Sequence, residues 1–231
     1  MTRILLLYVG MCIGMCVVLC VDSTSAKLGV DVSAATTEEA FACLKQTNNQ
    51  TFAVVRAWHS YGAPDSSLLV SAPNAIKAGF SSVYAYVFPC ALPSCKMSGG
   101  DQMGAAIGYA EEHGVKLDGW MIDVEGPGRW WGDDVATNRQ FLEDMIDAAK
   151  GKGVAKLGIY VSTRSFDGIL GSDYTGAADA GALLWWSAYG RPSFDDFQAF
   201  GGWTTPFIRQ YDDAAPFHCD IAYDRDYCAH C

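Results

Sequence analysis

The chain has 231 residues and a formal net charge of −10 at pH 7, a length that suits one large domain or two small ones. An acidic surface argues against nucleic acids and anionic membranes as partners, because both carry negative charge. Acidic pH would neutralise part of this charge, and we therefore hypothesise that the protein works in an acidic compartment or in gut fluid.

The N-terminal segment resembles a secretory signal peptide. Arg3 is the only charge before an apolar run from Ile4 to Val21, which is short for a membrane span and is followed by small residues. We expect cleavage after Ala26, with cleavage after Cys20 or an uncleaved anchor as alternatives. The product, residues 27–231, is expected to be one domain that is secreted or delivered to a lysosomal or phagosomal lumen, with no stable membrane insertion.

Short apolar strands alternate with helix-like stretches along most of the chain. Strands are predicted at 28–33, 52–58, 81–88, 117–125 and 156–162, and helices at 36–46, 66–78, 101–113, 134–150 and 164–170. Three more strands, at 182–188, 206–211 and 219–223, follow with little helix between them. This order predicts parallel strands with helices outside. Eight strands suggest a closed α/β barrel.

Six cysteines lie beyond the predicted signal peptide, an even number that indicates three disulfides in an exported protein. Cys90 and Cys95 bracket a short loop and are expected to pair. The positions of Cys219, Cys228 and Cys231 suggest a C-terminus held by disulfides, although the partners stay open. A zinc site at Cys228-Ala-His-Cys231 is the alternative. Asn49-Gln-Thr is a glycosylation sequon, which is consistent with export.

The most informative segment is the strand that carries Asp123 and Glu125. Residues i and i+2 of a strand point to the same side, so both carboxyls should project together before the Gly126-Pro127 break. Crowding and burial raise the pKa of at least one of them, and a protonated acid beside a charged carboxylate is the pairing that sugar hydrolysis requires. The loop at 126–133, with two tryptophans and three glycines, is typical of a sugar cleft. Two solvated acids at a strand end are the simpler alternative.

Two further acids are predicted to join this pair. Parallel barrels hold their chemistry at the carboxyl ends of the strands. Asp31 lies near the end of the first predicted strand, and Asp220 lies in the last. Because the first and last strands of a closed barrel are neighbours, both side chains should face Asp123 and Glu125. Alternatively, Asp31 leads a helix and Asp220 is a surface acid. A position of either acid well away from the pair would contradict this convergence.

An ordered set of motifs resembles the glycoside hydrolase family 25 lysozymes, from Leu28 to about Asp224. The matching segments are Leu28–Ser33, Phe52–Ala57, Val83–Phe88, the Asp-x-Glu strand Met121–Glu125, Leu157–Ser162, Leu184–Gly190, Gln210-Tyr211 and Asp220. The chain departs from the family where Arg209 replaces a Trp before Gln-Tyr and where Ile221 and Ala222 replace Leu-Asn.

The resemblance implies a (β/α)5(β)3 barrel, a modified TIM-like barrel, that cleaves the β-1,4 bond between N-acetylmuramic acid and N-acetylglucosamine in bacterial peptidoglycan. Glu125 would be the general acid, and Asp123 the nucleophile or the group that assists the substrate's acetamido group. Asp31 and Asp220 match two further active-site aspartates. The resemblance also places three aromatic residues along the cleft, namely Tyr86, Tyr160 and Trp185.

Three other functions remain open at this point: a lectin-like barrel that binds sugar without cleaving it, a chitinase, and a metal-dependent hydrolase. The four acids argue against the lectin. The residues before Asp123 do not fit the acidic run of family 18 chitinases, and few histidines argue against the metal-dependent enzyme. We therefore expect a monomer that needs no metal ion or cofactor and acts on peptidoglycan glycan strands.

Overall fold

The computed structural model describes residues 26–213, 218–229 and 231, so the predicted signal peptide lies outside the described residues. The strands are β1 (Lys27–Val32), β2 (Gln50–His59), β3 (Ala63–Pro64), β4 (Ser82–Val87), β5 (Gly119–Asp123), β6 (Leu157–Val161), β7 (Leu183–Ser187), β8 (Ile208–Asp212) and β9 (Asp224–Cys228). The helices are α1 (Glu38–Asn48), α2 (Leu68–Lys77), α3 (Gly99–Glu112), α4 (Val135–Gly151), α5 (Thr163–Leu170) and α6 (Gly176–Asp179).

Eight of these strands close into a barrel. Parallel pairing runs from β1 through β2, β4, β5, β6 and β7 to β8. The last strand, β9, closes the ring between β8 and β1 and is antiparallel to both. The two-residue β3 pairs with the end of β2 and lies outside the ring. The predicted barrel of five strand–helix units followed by three strands is confirmed.

Local sequence accounts for most of the helix boundaries. Side-chain oxygens of Thr37, Ser98, Asp134 and Ser162 accept hydrogen bonds from backbone N–H groups in the first turns of α1, α3, α4 and α5. These bonds satisfy donors that would otherwise lack partners. The helix α2 ends just before Gly79, which has a φ of +82°, a conformation that side chains with a Cβ rarely adopt.

The interior of the barrel is filled by large side chains, so the functional cleft is shallow and lies at one end. The inward cluster consists of Phe52, Val54, Tyr84, Tyr86, Met121, Tyr160, Trp185, Ile208 and Cys228. A Cβ at Gly29 would overlap the ring of Phe52, so this close approach requires glycine. A larger apolar layer lies between the strands and the surrounding helices.

The predicted last strand at 219–223 is wrong. The strand begins at Asp224, and the residues before it form a loop in which Cys219 and Asp220 have positive φ angles. A disulfide joins Cys219 to Cys43 of α1 and holds this loop outside the barrel. Because β9 runs antiparallel to its neighbours, its first residues, not its last, lie at the end where the parallel strands terminate.

The predicted disulfide between Cys90 and Cys95 is present. Cys228 bonds to Cys231, which contradicts the alternative of a zinc site there, because a zinc ligand must be a free thiolate. Within the described residues, no helix is long and apolar enough to cross a bilayer.

Candidate active site

A cleft of about 320 Å³ opens where the parallel strands end. Its lining residues are Asp31, Ser33, Arg56, Tyr86, Phe88, Asp123, Glu125, Tyr160, Trp185, Tyr189, Gln210, Asp213 and Asp224. Six of the seven residues predicted to be catalytic or to contact substrate are in this set; Asp220 is not. The cleft is mostly polar and acidic at its base, with aromatic rings on its walls.

Asp123 is the last residue of β5, and Glu125 follows one residue later on the same side of the chain. The Asp123 side chain is buried, and its Oδ1 atom has no hydrogen-bond partner among the described residues. Burial raises the pKa of Asp123 well above its usual value, and the charges of Glu125 and Asp31 raise it further, while Arg56 lowers it. Asp123 is therefore a buried acid that lines the cleft and has one buried oxygen without a hydrogen bond from the described residues.

Glu125 is half-buried at the edge of the cleft. Burial raises its pKa, and the guanidinium of Arg129 offsets part of this effect. A carboxyl with a raised pKa keeps its proton at a higher pH than a solvated glutamate. Glu125 thus has the environment that a general acid needs.

Asp31 and Asp224 face each other across the β1–β9 pair. The side-chain amide of Gln210 donates to Asp31 Oδ2 at 2.8 Å and to Asp224 Oδ2 at 3.3 Å. Burial raises the pKa of Asp31 to about 6, although hydrogen bonds from Gln210 and Asp226 lower it. Burial, followed by the charge of Asp31, raises the pKa of Asp224 to about 8.

The prediction that Asp220 joins the other acids is contradicted by the structure. Asp220 is exposed and lines a different cavity, beside Thr37, Glu39 and Cys43 at the start of α1, which shares no lining residue with the cleft. The antiparallel direction of β9 explains this outcome, because it brings Asp224 to the mouth and leaves Asp220 outside the wall. Four acids do converge, with Asp224 in the place expected for Asp220.

The three predicted aromatic residues form one connected wall. The rings of Tyr160 and Trp185 meet edge to face at 4.6 Å between centroids, and Tyr86 meets Trp185 at 6.1 Å. The Tyr160 hydroxyl donates to Gln210 Oε1 at 2.8 Å. The aromatic wall and the acid cluster are therefore linked through the Gln210 side chain.

Sequence reasoning missed seven lining residues of the cleft, and three of them, Asp224, Gln210 and Arg56, act directly on the acids. Asp224 and Asp226 repeat the i, i+2 spacing of Asp123 and Glu125, a signal that could have identified the last strand. Gln210 lies in the Gln210-Tyr211 motif, which by itself predicts no contact with the acids. Arg56 donates to Ser33 O and to Asp65 Oδ2, each at 2.6 Å, and so presents a fixed cation to the acids.

Asn49 of the sequon is exposed and ends α1 in a left-handed conformation. It precedes β2 and so lies at the end of the barrel opposite the cleft, where an attached glycan would not obstruct it. Among the described residues, the one group of side chains close enough to share a metal ion is Cys43, His218 and Cys219. Its two sulfur atoms form a disulfide, so the group lacks the thiolates that a metal would need.

We expect folding stability to fall as the pH rises from about 4 to about 8. Five carboxyls of the site have raised pKa values: Asp31, Asp123, Glu125, Asp224 and Asp226. The folded chain then binds more protons than the unfolded chain. The stabilisation is complete at a pH below the pKa of each carboxyl in the unfolded chain, and it is lost as the pH rises through the pKa of that carboxyl in the folded chain. For Asp31, a pKa of about 6 against 3.8 corresponds to about 3 kcal/mol.

Urea unfolding at a series of pH values measures this slope. The variant Asp224→Asn removes one titrating group and should show a shallower decline. A free energy of unfolding that increases steadily across this range would contradict the pKa directions given above.

The barrel, the position of the cleft and its acid pairs define the class of protein as a glycoside hydrolase. The sequence profile of the family described as "Lysozyme-like protein 1" matches residues 22–211. The chain is 37% identical to "Probable GH family 25 lysozyme 2" of Dictyostelium discoideum over 201 residues, which cover 87% of this chain and 90% of the relative. It therefore belongs to the glycoside hydrolase family 25 lysozymes.

Solved structures have the same fold. The bacterial lysozyme from Streptomyces coelicolor matches with a TM-score of 0.69 and 20% identity, over 88% of this chain and 92% of that one. The modular autolysin LytC from Streptococcus pneumoniae, solved in complex with a synthetic peptidoglycan ligand, matches with a TM-score of 0.62 and 16% identity. That match covers 87% of this chain and 46% of LytC.

Proposed function

We propose that the chain is an N-acetylmuramidase, which hydrolyses the β-1,4 bond between N-acetylmuramic acid and N-acetylglucosamine in bacterial peptidoglycan. The observation that carries the proposal is the convergence of Asp31, Asp123, Glu125 and Asp224 at one cleft lined by aromatic rings. The family supports glycosidase chemistry, and the peptidoglycan ligand of LytC supports the substrate class.

Glu125 acts as the general acid. Cleavage of a glycosidic bond generates an oxocarbenium-like centre and a leaving oxygen that needs a proton. Burial raises the pKa of Glu125, so the side chain retains its proton to a higher pH than a solvated glutamate does. The cleft is open beside it, so the leaving oxygen can approach its carboxyl group.

Asp123 assists on the other side of the bond, as a nucleophile or by orienting the substrate's acetamido group. One observation favours the acetamido route: burial and the neighbouring acids raise the pKa of Asp123, which disfavours the carboxylate form that a nucleophile needs. Asp31 and Asp224, held by Gln210, contact the sugar at the far wall.

The proposal includes action in an acidic lumen after export. Disulfides indicate an oxidising compartment, and the raised pKa of Glu125 favours activity below neutral pH. This part of the proposal would be contradicted by activity that peaks at neutral pH and is lost at about pH 4 to 5, where aspartates and glutamates begin to protonate.

Incubation of the purified protein with bacterial walls across a pH series tests the function. We expect turbidity to fall and new reducing ends to appear at N-acetylmuramic acid, with the same yield in EDTA. Loss of activity in EDTA would support the metal-dependent hydrolase. Release from chitin but not from walls would support the chitinase, and binding without release would support the lectin.

A further inference from the structure

Asp226 is a completely buried acid that lies below the cleft and does not line it. We propose that Asp226 is a positioning residue for the hydrolytic reaction, a neutral carboxylic acid that donates its proton to Asp31 and at the same time holds the Trp185 indole. This inference rests on the proposed function, because the groups it positions are Asp31 and Trp185 of the cleft.

The register of β9 places Asp226 in the barrel interior. Asp226 is opposite Gly29 of β1 on one side and Gln210 of β8 on the other. Asp224, two residues earlier, points to the same side of the strand and reaches the cleft. Asp226 therefore occupies the layer beneath Asp224, inside the barrel wall.

Its hydrogen bonds define its protonation. The Trp185 indole N–H donates to Asp226 Oδ1 at 2.8 Å, whereas Oδ2 is buried with no N–H or hydroxyl group donating to it among the described residues. Asp31 lies diagonally across the β1–β9 pair from Asp226, and the contact between the two carboxyls lowers the pKa of Asp31 and raises that of Asp226. A hydrogen bond between two carboxyl groups requires one proton. We place this proton on Asp226 Oδ2, because that buried oxygen accepts no hydrogen bond.

The surrounding charges keep that proton on Asp226. Burial raises the pKa of Asp226 well above its usual value, and the charges of Asp31 on β1 and Asp224 on β9 raise it further. The same hydrogen bond lowers the pKa of Asp31. Tyr211 on β8 also interacts with Asp226.

More distant charges act on Asp31 or on its neighbour Asp123. Glu125 raises the pKa of Asp31, and the cation Arg56 on β2 lowers that of Asp123. The proton on Asp226 therefore stabilises a charged Asp31 in a site that otherwise disfavours negative charge.

Two variants separate this role from simple packing. Asp226→Asn keeps an acceptor for Trp185 and supplies an N–H donor to Asp31 at every pH, whereas Asp226→Ala removes both. On bacterial walls, we expect the Asn variant to keep the wild-type pH profile with a rate within about threefold. The Ala variant should lose about ten- to hundredfold, the effect of one hydrogen bond to a charged group. Its acidic limb should also move to higher pH, because Asp31 has lost its donor.

Equal losses and equal pH profiles in the Asn and Ala variants would overturn the proposal. Thermal unfolding at acidic pH checks that both variants are folded; should the Ala variant fail to fold, the Asn profile and an infrared measurement test the proposal without it. The wild type minus Asp226→Asn infrared difference spectrum should contain the carbonyl stretch of a protonated carboxylic acid at neutral pH, and absence of that band would also overturn it. The spectrum requires no activity, so a wild type that leaves walls intact refutes the proposed function separately.

Discussion

Replacement of Glu125 by Gln should lower the rate of wall hydrolysis by about a hundredfold to ten-thousandfold, the usual contribution of general acid catalysis. Gln has the size of a protonated Glu but cannot give up a proton to the leaving oxygen. The fold should be unaffected, because Glu125 is half-buried and carries a raised pKa. Turbidity and reducing-end assays on the same wall preparation measure the loss.

Glu112→Gln is the matched control. Glu112 is exposed at the end of α3, and the carboxyl ends of the outer helices lie away from the cleft. This control should keep the wild-type rate. Near wild-type lysis by Glu125→Gln would overturn the assignment of the general acid, whatever the other acids do.

Truncation of Asp224 should reduce hydrolysis by about ten- to hundredfold, whereas truncation of Asp220 should leave it within about twofold. In Asp224→Ala the Gln210 amide loses one of its two carboxyl acceptors and the substrate loses a hydrogen-bonding partner, and a buried donor left without its partner costs about 1–3 kcal/mol. Initial rates at one wall concentration measure both effects.

Glycine is the appropriate truncation at position 220, because Asp220 has a φ of 61°, which glycine tolerates without strain. A deeper loss in Asp220→Gly than in Asp224→Ala would restore the sequence-based assignment of Asp220. Comparison of the two variants therefore tests the direction of β9 as much as the role of either acid.

Much of the site could be predicted because its key features are local in sequence. Asp123 and Glu125 share a side of the chain through the alternation of a strand, and the strand ends before a Gly-Pro break. Asp31 follows from the same logic on β1. The helix starts at Thr37 and Asp134 could also be predicted from the sequence, because a capping side chain bonds to the first turn of its own helix.

The prediction that Asp220 belongs to the site was wrong because of the direction of the last strand. The rule that chemistry sits at the carboxyl ends of strands holds for parallel strands, and the direction of the last strand depends on its pairing with β1 and β8. The link between Cys43 and Cys219 spans 176 residues, so its partners could not be read from spacing.

The amino-acid sequence by itself determined the alternation of strands and helices, the acid pair on β5 and the disulfide that closes the Cys90 loop, because each depends on neighbours a few residues away. Only the tertiary structure decided that β9 is antiparallel to β1 and that Asp224, not Asp220, lies opposite Asp31. It also decided that Gln210 and Asp226 contact these acids. These contacts join β1 to β8 and β9, which are far from it in sequence. The physical reason is that the first and last strands meet only when the whole barrel closes.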